Sequence, residues 1–152
     1  MTHQSFEDTL LDQFLADTSR GKTEATRMRY DQILRRLRYF LDQVDVSSHL
    51  GTDPAAILEI ERDFGRRGAF LRVFGATDLV CCLPEFLDER WLPTRPGEAR
   101  TQISLIGRML PWLTRYRLVD MSVGACAFWE AEAAVRRARL AHAQRNPNRR
   151  AA

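Results

Sequence analysis

The sequence predicts an all-α fold in one domain, and three observations carry that reading. Glycine and proline punctuate the chain into segments whose apolar residues recur at helical spacing. No window alternates β-branched residues as a half-buried strand would. The 152 residues, 45% hydrophobic and 28% charged, suffice for one core, are too few for two, and are too apolar for a disordered chain. A bundle of about five to six helices is expected.

The first helix is expected over residues 6–16, with Phe6, Leu10, Leu11, Phe14 and Leu15 on one face. SRGK ends it. The second is TEATRMRYDQILRRLRYFLD, residues 23–42, where Thr23 is a good N-cap and Glu24 suits the positive end of the helix dipole. Tyr30, Ile33, Leu34, Leu37, Phe40 and Leu41 form its buried stripe. Its five arginines stay outside that stripe: Arg29 and Arg36 border one edge, and Arg27, Arg35 and Arg38 take the other side or the solvent face.

In TDPAAILEIERDF, Asp53 is the expected cap of a third helix, with Pro54 in the first turn and Ile57, Leu58, Ile60 and Phe64 as its apolar face. Gly65, Gly68 and Gly75 break or kink the chain around a short apolar segment. Thr77 or Asp78 is expected to cap DLVCCLPEFLDERWL, with Pro84 late in a first turn or at a kink. PTRPG, residues 93–97, is a loop feeding EARTQISLIGRMLPWLTRYRLVD, in which Ile103, Ile106, Leu110, Leu113 and Leu118 pack and Pro111 predicts a kink or an end near Leu110. A last helix is expected over 125–144, with Phe128, Val135 and Leu140 as sparse apolar positions. By domain, residues 1–122 form the helical unit, 123–145 a C-terminal helix packed on it or extending from it, and 146–152 a disordered basic tail.

The net charge of +3 conceals a patterned distribution. Residues 1–19 hold four acids and no base, 20–39 hold seven bases and two acids, and 40–65 hold six acids and one base. Farther on, 93–117 sets five arginines against Glu98, and 135–152 has six arginines and no acid. Basic blocks thus alternate with acidic ones.

No apolar run approaches the roughly 20 residues that span a bilayer, and the start MTHQSFEDTL is polar and acidic, so a cytoplasmic protein without membrane contact is expected. Cys81, Cys82 and Cys126 have neither disulfide nor zinc spacing and read as small buried hydrophobes. There is no glycine-rich phosphate loop, H-E-x-x-H or G-x-S-x-G, so no cofactor, metal or catalytic centre is expected. Glu59, Glu61 and Asp63 read as solvated charge.

Two segments share a design: each begins in a basic loop, RGKT or PTRPGEAR, and continues as an amphipathic helix ending in aromatic and leucine residues. In the first, Leu11, Phe14 and Leu15 precede Thr23, Thr26 and Tyr30, and RRLRYFL closes the helix. In the second, ISLIGRMLPWLTRYRLVD supplies Ile103, Ser104, Ile106, Leu110, Trp112, Leu113, Leu118 and Val119. Over residues 6–120 this resembles the N-terminal core-binding (SAM-like) domain of tyrosine recombinases, the phage integrase family. The resemblance implies an orthogonal helical bundle that arches over one side of double-stranded DNA, with a catalytic recombinase chain as a further partner. Members of that family cut DNA with an Arg, a Lys, an H-x-x-R box and a Tyr nucleophile. HAQR, residues 142–145, matches H-x-x-R by chance on a helix surface, and no tyrosine follows Tyr116, so this chain is not expected to cut DNA alone.

On this reading Lys22, Arg27, Arg29, Arg36, Arg100 and Arg108 reach phosphates, and Thr26 and Gln102 touch phosphates or base edges near helix N-termini. The role expected is that of a non-catalytic accessory factor or integrase remnant. The alternative is a helical protein-interaction module, in which the acidic blocks 1–19 and 40–65 meet basic blocks of a second copy in a salt-sensitive homo-oligomer. Trp91, Phe128 and Trp129 would then form an exposed patch beside a loosely docked last helix.

Overall fold

The computed structural model describes residues 6–65 and 67–147, and every regular element among them is helical. The described residues form eight helices: α1 (Phe6–Thr18), α2 (Glu24–Gln43), α3 (Ser47–Leu50), α4 (Thr52–Asp63), α5 (Ala69–Val73), α6 (Ala76–Phe86), α7 (Pro96–Arg115) and α8 (Met121–Arg145). The excess over the expected number comes from α3 and α5, single turns too short for a periodicity to register.

α2 forms as its sequence dictates. The Thr26 N–H donates to Thr23 Oγ1 at 3.3 Å, and Tyr30, Ile33, Leu34, Leu37, Phe40 and Leu41 are all buried. α1 runs antiparallel to it, and Arg38 of α2 reaches back to Asp12 of α1 at 2.9 Å. α7 lies across this hairpin: Trp112 sets its ring edge-on to Phe14, centroids 5.2 Å apart, and donates its indole N–H to Asp17 at 2.9 Å.

Several expected boundaries are corrected. Asp53 lies in the first turn of α4, and the cap position is Gly51, whose φ of 95° favours glycine. Of the α4 apolar residues only Leu58 is buried; Ile57, Ile60 and Phe64 face outward, because the two single turns that hold α4 cover a narrow strip. α6 starts earlier than Thr77 or Asp78, at Ala76, with the Gly75 N–H donating to the Asp78 carboxylate at 3.3 Å. It ends at Phe86, two residues past Pro84, and residues 87–95 form turns. α7 passes through Pro111 without ending, since Pro111 is solvent-exposed and a missing N–H on that side is tolerated.

α8 begins at Met121, capped by Asp120, so the expected division at 122/123 falls inside a helix. It packs on α6 and α7 through small residues: Ala131, Ala134 and Val135 belong to the same core as Leu79, Leu83 and Ile106. Phe128 is buried there and Trp91 packs half-buried against Phe40, which leaves Trp129 alone of the expected aromatic patch. The expected basic tail, residues 146–152, lies outside the described residues from 148 onward.

The sharpest contact is where α8 crosses α6, since a Cβ on Gly124 would stand 2.6 Å from Thr77 Cγ2. Gly124→Ala is expected to push α8 off α6 and lower stability by about 1–3 kcal/mol, as read by urea denaturation.

Candidate nucleic-acid interface

The arginines divide by partner. Arg20, Arg35, Arg38, Arg62, Arg72, Arg90, Arg95 and Arg145 each lie within ion-pair distance of a carboxylate. Lys22, Arg27, Arg29, Arg36, Arg100 and Arg108 have no carboxylate partner among the described residues. The six cations expected at phosphates are therefore all drawn from the group that the fold leaves without a counter-charge.

They are not equally available. Lys22, in the turn between α1 and α2, and Arg27 and Arg29, in the first turns of α2, are exposed. Arg36 donates through Nη2 to the Trp91 carbonyl at 2.8 Å, which ties part of its guanidinium to the protein. Arg108 is held more firmly: its Nη2 donates to the Tyr30 hydroxyl at 2.9 Å, and the guanidinium carbon lies 5.0 Å from the centre of the Tyr30 ring. Arg108 is thus first a clamp between α7 and α2, and its expected role at a phosphate is corrected to that of a neighbour.

Gln102 is corrected outright. Its side chain is 0% exposed, and Nε2 donates to the carbonyls of Phe86 and Trp91 at 3.1 and 3.2 Å. Those carbonyls belong to the chain leaving α6, where no helical N–H meets them, so the amide is a structural donor and reaches no base edge. Thr26 is half-buried and its hydroxyl accepts from Thr23 Oγ1 at 3.1 Å, which makes it part of the α2 cap. Glu24 at that terminus opposes an incoming phosphate, so the weight falls on the arginines.

Arg100 brings in residues that the sequence alone did not single out. It lines a hollow of about 400 Å³ between α7 and α8 with Ser104, Arg139 and His142. The Arg139 guanidinium lies across Gly107, where a Cβ would come within 2.6 Å of Nη2. The signal for Arg139 was the acid-free block from residue 135, but which of its arginines turns toward α7 depends on how α8 docks. On the other side of that end of α8, a cleft of about 530 Å³ contains Asp88 and Glu89, with Arg145 paired to Glu89 at 3.4 Å, which makes it unfit for phosphate.

Of the outward cations without a carboxylate partner, which also include Arg67, Arg115, Arg117, Arg136 and Arg137, two groups concern the expected site: Lys22, Arg27 and Arg29 at the start of α2, and Arg100 with Arg139 on the α7–α8 seam. Arg108 stands between them, eight residues and about 12 Å along α7 from Arg100. Asp17 steadies the first group by accepting from Trp112, Gln13 and Arg20 beside the α1–α2 turn. The Trp112 hydrogen bond, helped by the others, holds the Asp17 carboxyl below its ordinary value.

The thiols offer no reactive group at the seam. Burial pushes Cys82 up to about 12 and also raises Cys81, whereas Cys126 is exposed, contrary to the expectation that all three are buried. No cluster of three or more His, Cys, Asp or Glu side chains is placed to hold a metal ion among the described residues, and none of their helices is long and apolar enough to cross a membrane. No family model matches the chain, and no curated protein or solved structure is similar to it.

A depressed carboxyl contributes stability that is present above the ordinary carboxylate range and lost as pH falls through its folded-state value. Trp112→Phe, which removes the indole donor, is expected to raise the Asp17 titration toward the ordinary range by carboxyl NMR. Acid unfolding should then begin at a higher pH than in the parent.

Proposed function

We propose that this chain is a non-catalytic DNA-binding protein in the manner of a recombinase core-binding domain, serving as an accessory factor to a catalytic recombinase or surviving as an integrase remnant. The family reading rests on the motif resemblance. The surface reading rests on one observation, the division of the arginines between those paired with carboxylates and those left without. An exposed guanidinium beside a carboxylate has little to gain from a phosphate. One without a partner neutralises a phosphate and releases a condensed counterion.

Contacts of this kind position a protein on the duplex and carry no sequence information themselves. With Gln102 and Thr26 engaged internally, the surface is expected to bind duplexes with little preference for sequence.

Gel-shift titration on random duplex should give a log–log salt slope of about −4 to −5, corresponding to about five neutralised phosphates. Reversing Arg27, Arg29 and Arg100 to Glu should abolish the shift and leave the circular dichroism unchanged. Reversing Arg35, which already pairs with Asp31, should have a small effect. Parental affinity in the triple variant would overturn the assignment.

A further inference from the structure

α8 is apolar on two opposite sides, and the core uses only one. Gly124, Phe128, Ala131, Ala134 and Val135 face α6 and α7. On the outer side Cys126, Trp129, Ala133, Arg136 and Leu140 recur at alternating steps of four and three, the spacing of a coiled-coil seam. Trp129 is 60% exposed and Leu140 63%, a large cost for side chains that the fold itself does not cover.

We infer that this outer face of α8 is a homodimer interface, in which α8 pairs antiparallel with α8 of a second copy, centred on Ala133. Charge selects both the partner and the direction. Glu130 and Glu132 precede Ala133, Arg136 and Arg137 follow it, and none of the four is ion-paired among the described residues. Antiparallel pairing sets Glu130 against the second copy's Arg137 and Glu132 beside its Arg136. A parallel alignment would bring Glu132 toward the second copy's Arg137, but it would also set the two Arg136 residues against each other within the seam itself. The same antiparallel register lays Trp129 against the second copy's Arg136, a cation–π contact, and Cys126 beside its Leu140. Ala133 at the two-fold axis lets the helices approach to about 8 Å.

The other exposed apolar stripe, Ile57, Ile60 and Phe64 on α4, lacks this property. Asp53 and Asp63 flank it, and Arg62, the one cation of α4, lies on the other side paired with Glu59, so two copies meeting there would oppose acid with acid. A single helix pair is at the small end of specific interfaces, so the dimer is expected at micromolar concentration and to weaken with salt. This inference is independent of the DNA reading, and its test contains no DNA.

Sedimentation equilibrium of the full chain at low salt, from about 1 to about 200 µM, should show a roughly two-fold rise in mass. Trp129→Glu and Leu140→Glu should each abolish the rise, and both positions are exposed, so circular dichroism should stay unchanged. Register is read by cross-linking in oxidised glutathione. C126S/A133C should form a disulfide-linked dimer. The native chain should not, because antiparallel pairing holds its two Cys126 residues about 21 Å apart, far beyond disulfide reach. L140C should cross-link through Cys126 of the second copy. A monomer at every concentration, a dimer indifferent to both glutamate variants, or efficient cross-linking of native Cys126 with no cross-link in C126S/A133C would each overturn the inference.

Discussion

The arrangement of this molecule depends on one buried amide. Gln102 sits in the core of α7 with no exposure and donates to the carbonyls of Phe86 and Trp91, which the chain leaves without helical partners as it turns out of α6. A buried carbonyl without a donor costs about 1–3 kcal/mol, so this side chain stabilises a turn that apolar packing alone would penalise. The Trp91 carbonyl also accepts from Arg36 of α2, and its ring stands edge-on to Phe40 with centroids 4.9 Å apart. One point therefore joins α2, the exit from α6 and the first half of α7. With α7 fixed there, its far end meets Phe14 and Asp17 through Trp112, and its remaining side receives α8.

That placement also decides what the cations do. Arg36 and Arg108 are spent largely on holding α2 to the loop and to α7, through a carbonyl and a tyrosine. Arg35 and Arg38, on the same helix as Arg36, are neutralised by Asp31 and Asp12. What remains outward without a carboxylate is a smaller set than the composition suggests, and it includes the start of α2 and the α7–α8 seam. Guanidinium groups serve both ends because their stems pack against apolar edges and their planar heads donate in several directions.

α8 shows why burial pattern and sequence pattern have to be weighed together. Its glycine and alanines allow close docking on α6 and α7, where Phe128 and Val135 are also buried, while Trp129 and Leu140 point away from them. A helix built this way is stable on its scaffold yet leaves an apolar seam that the single chain does not cover. The two faces of α8 serve separate contacts, and the division of acids before Ala133 from bases after it has no counterpart in the packing of the chain on itself.

The all-α class, the Thr23 cap and the stripe from Tyr30 to Leu41 were legible in the sequence, because cap chemistry and the 3.6-residue period are local and act within a few residues. Locality also explains what was misread. Ile57, Ile60 and Phe64 fit the period of a buried face, but only the narrowness of the elements beside α4 shows that nothing covers them. Gln102 near a helix N-terminus looks like a surface amide until the Phe86 and Trp91 carbonyls arrive from 16 and 11 residues away. Sequence by itself determined the long helices and the amount of charge. Tertiary structure alone decided which charges are already satisfied, since an arginine's partner is set by distance in space and not by its neighbours along the chain.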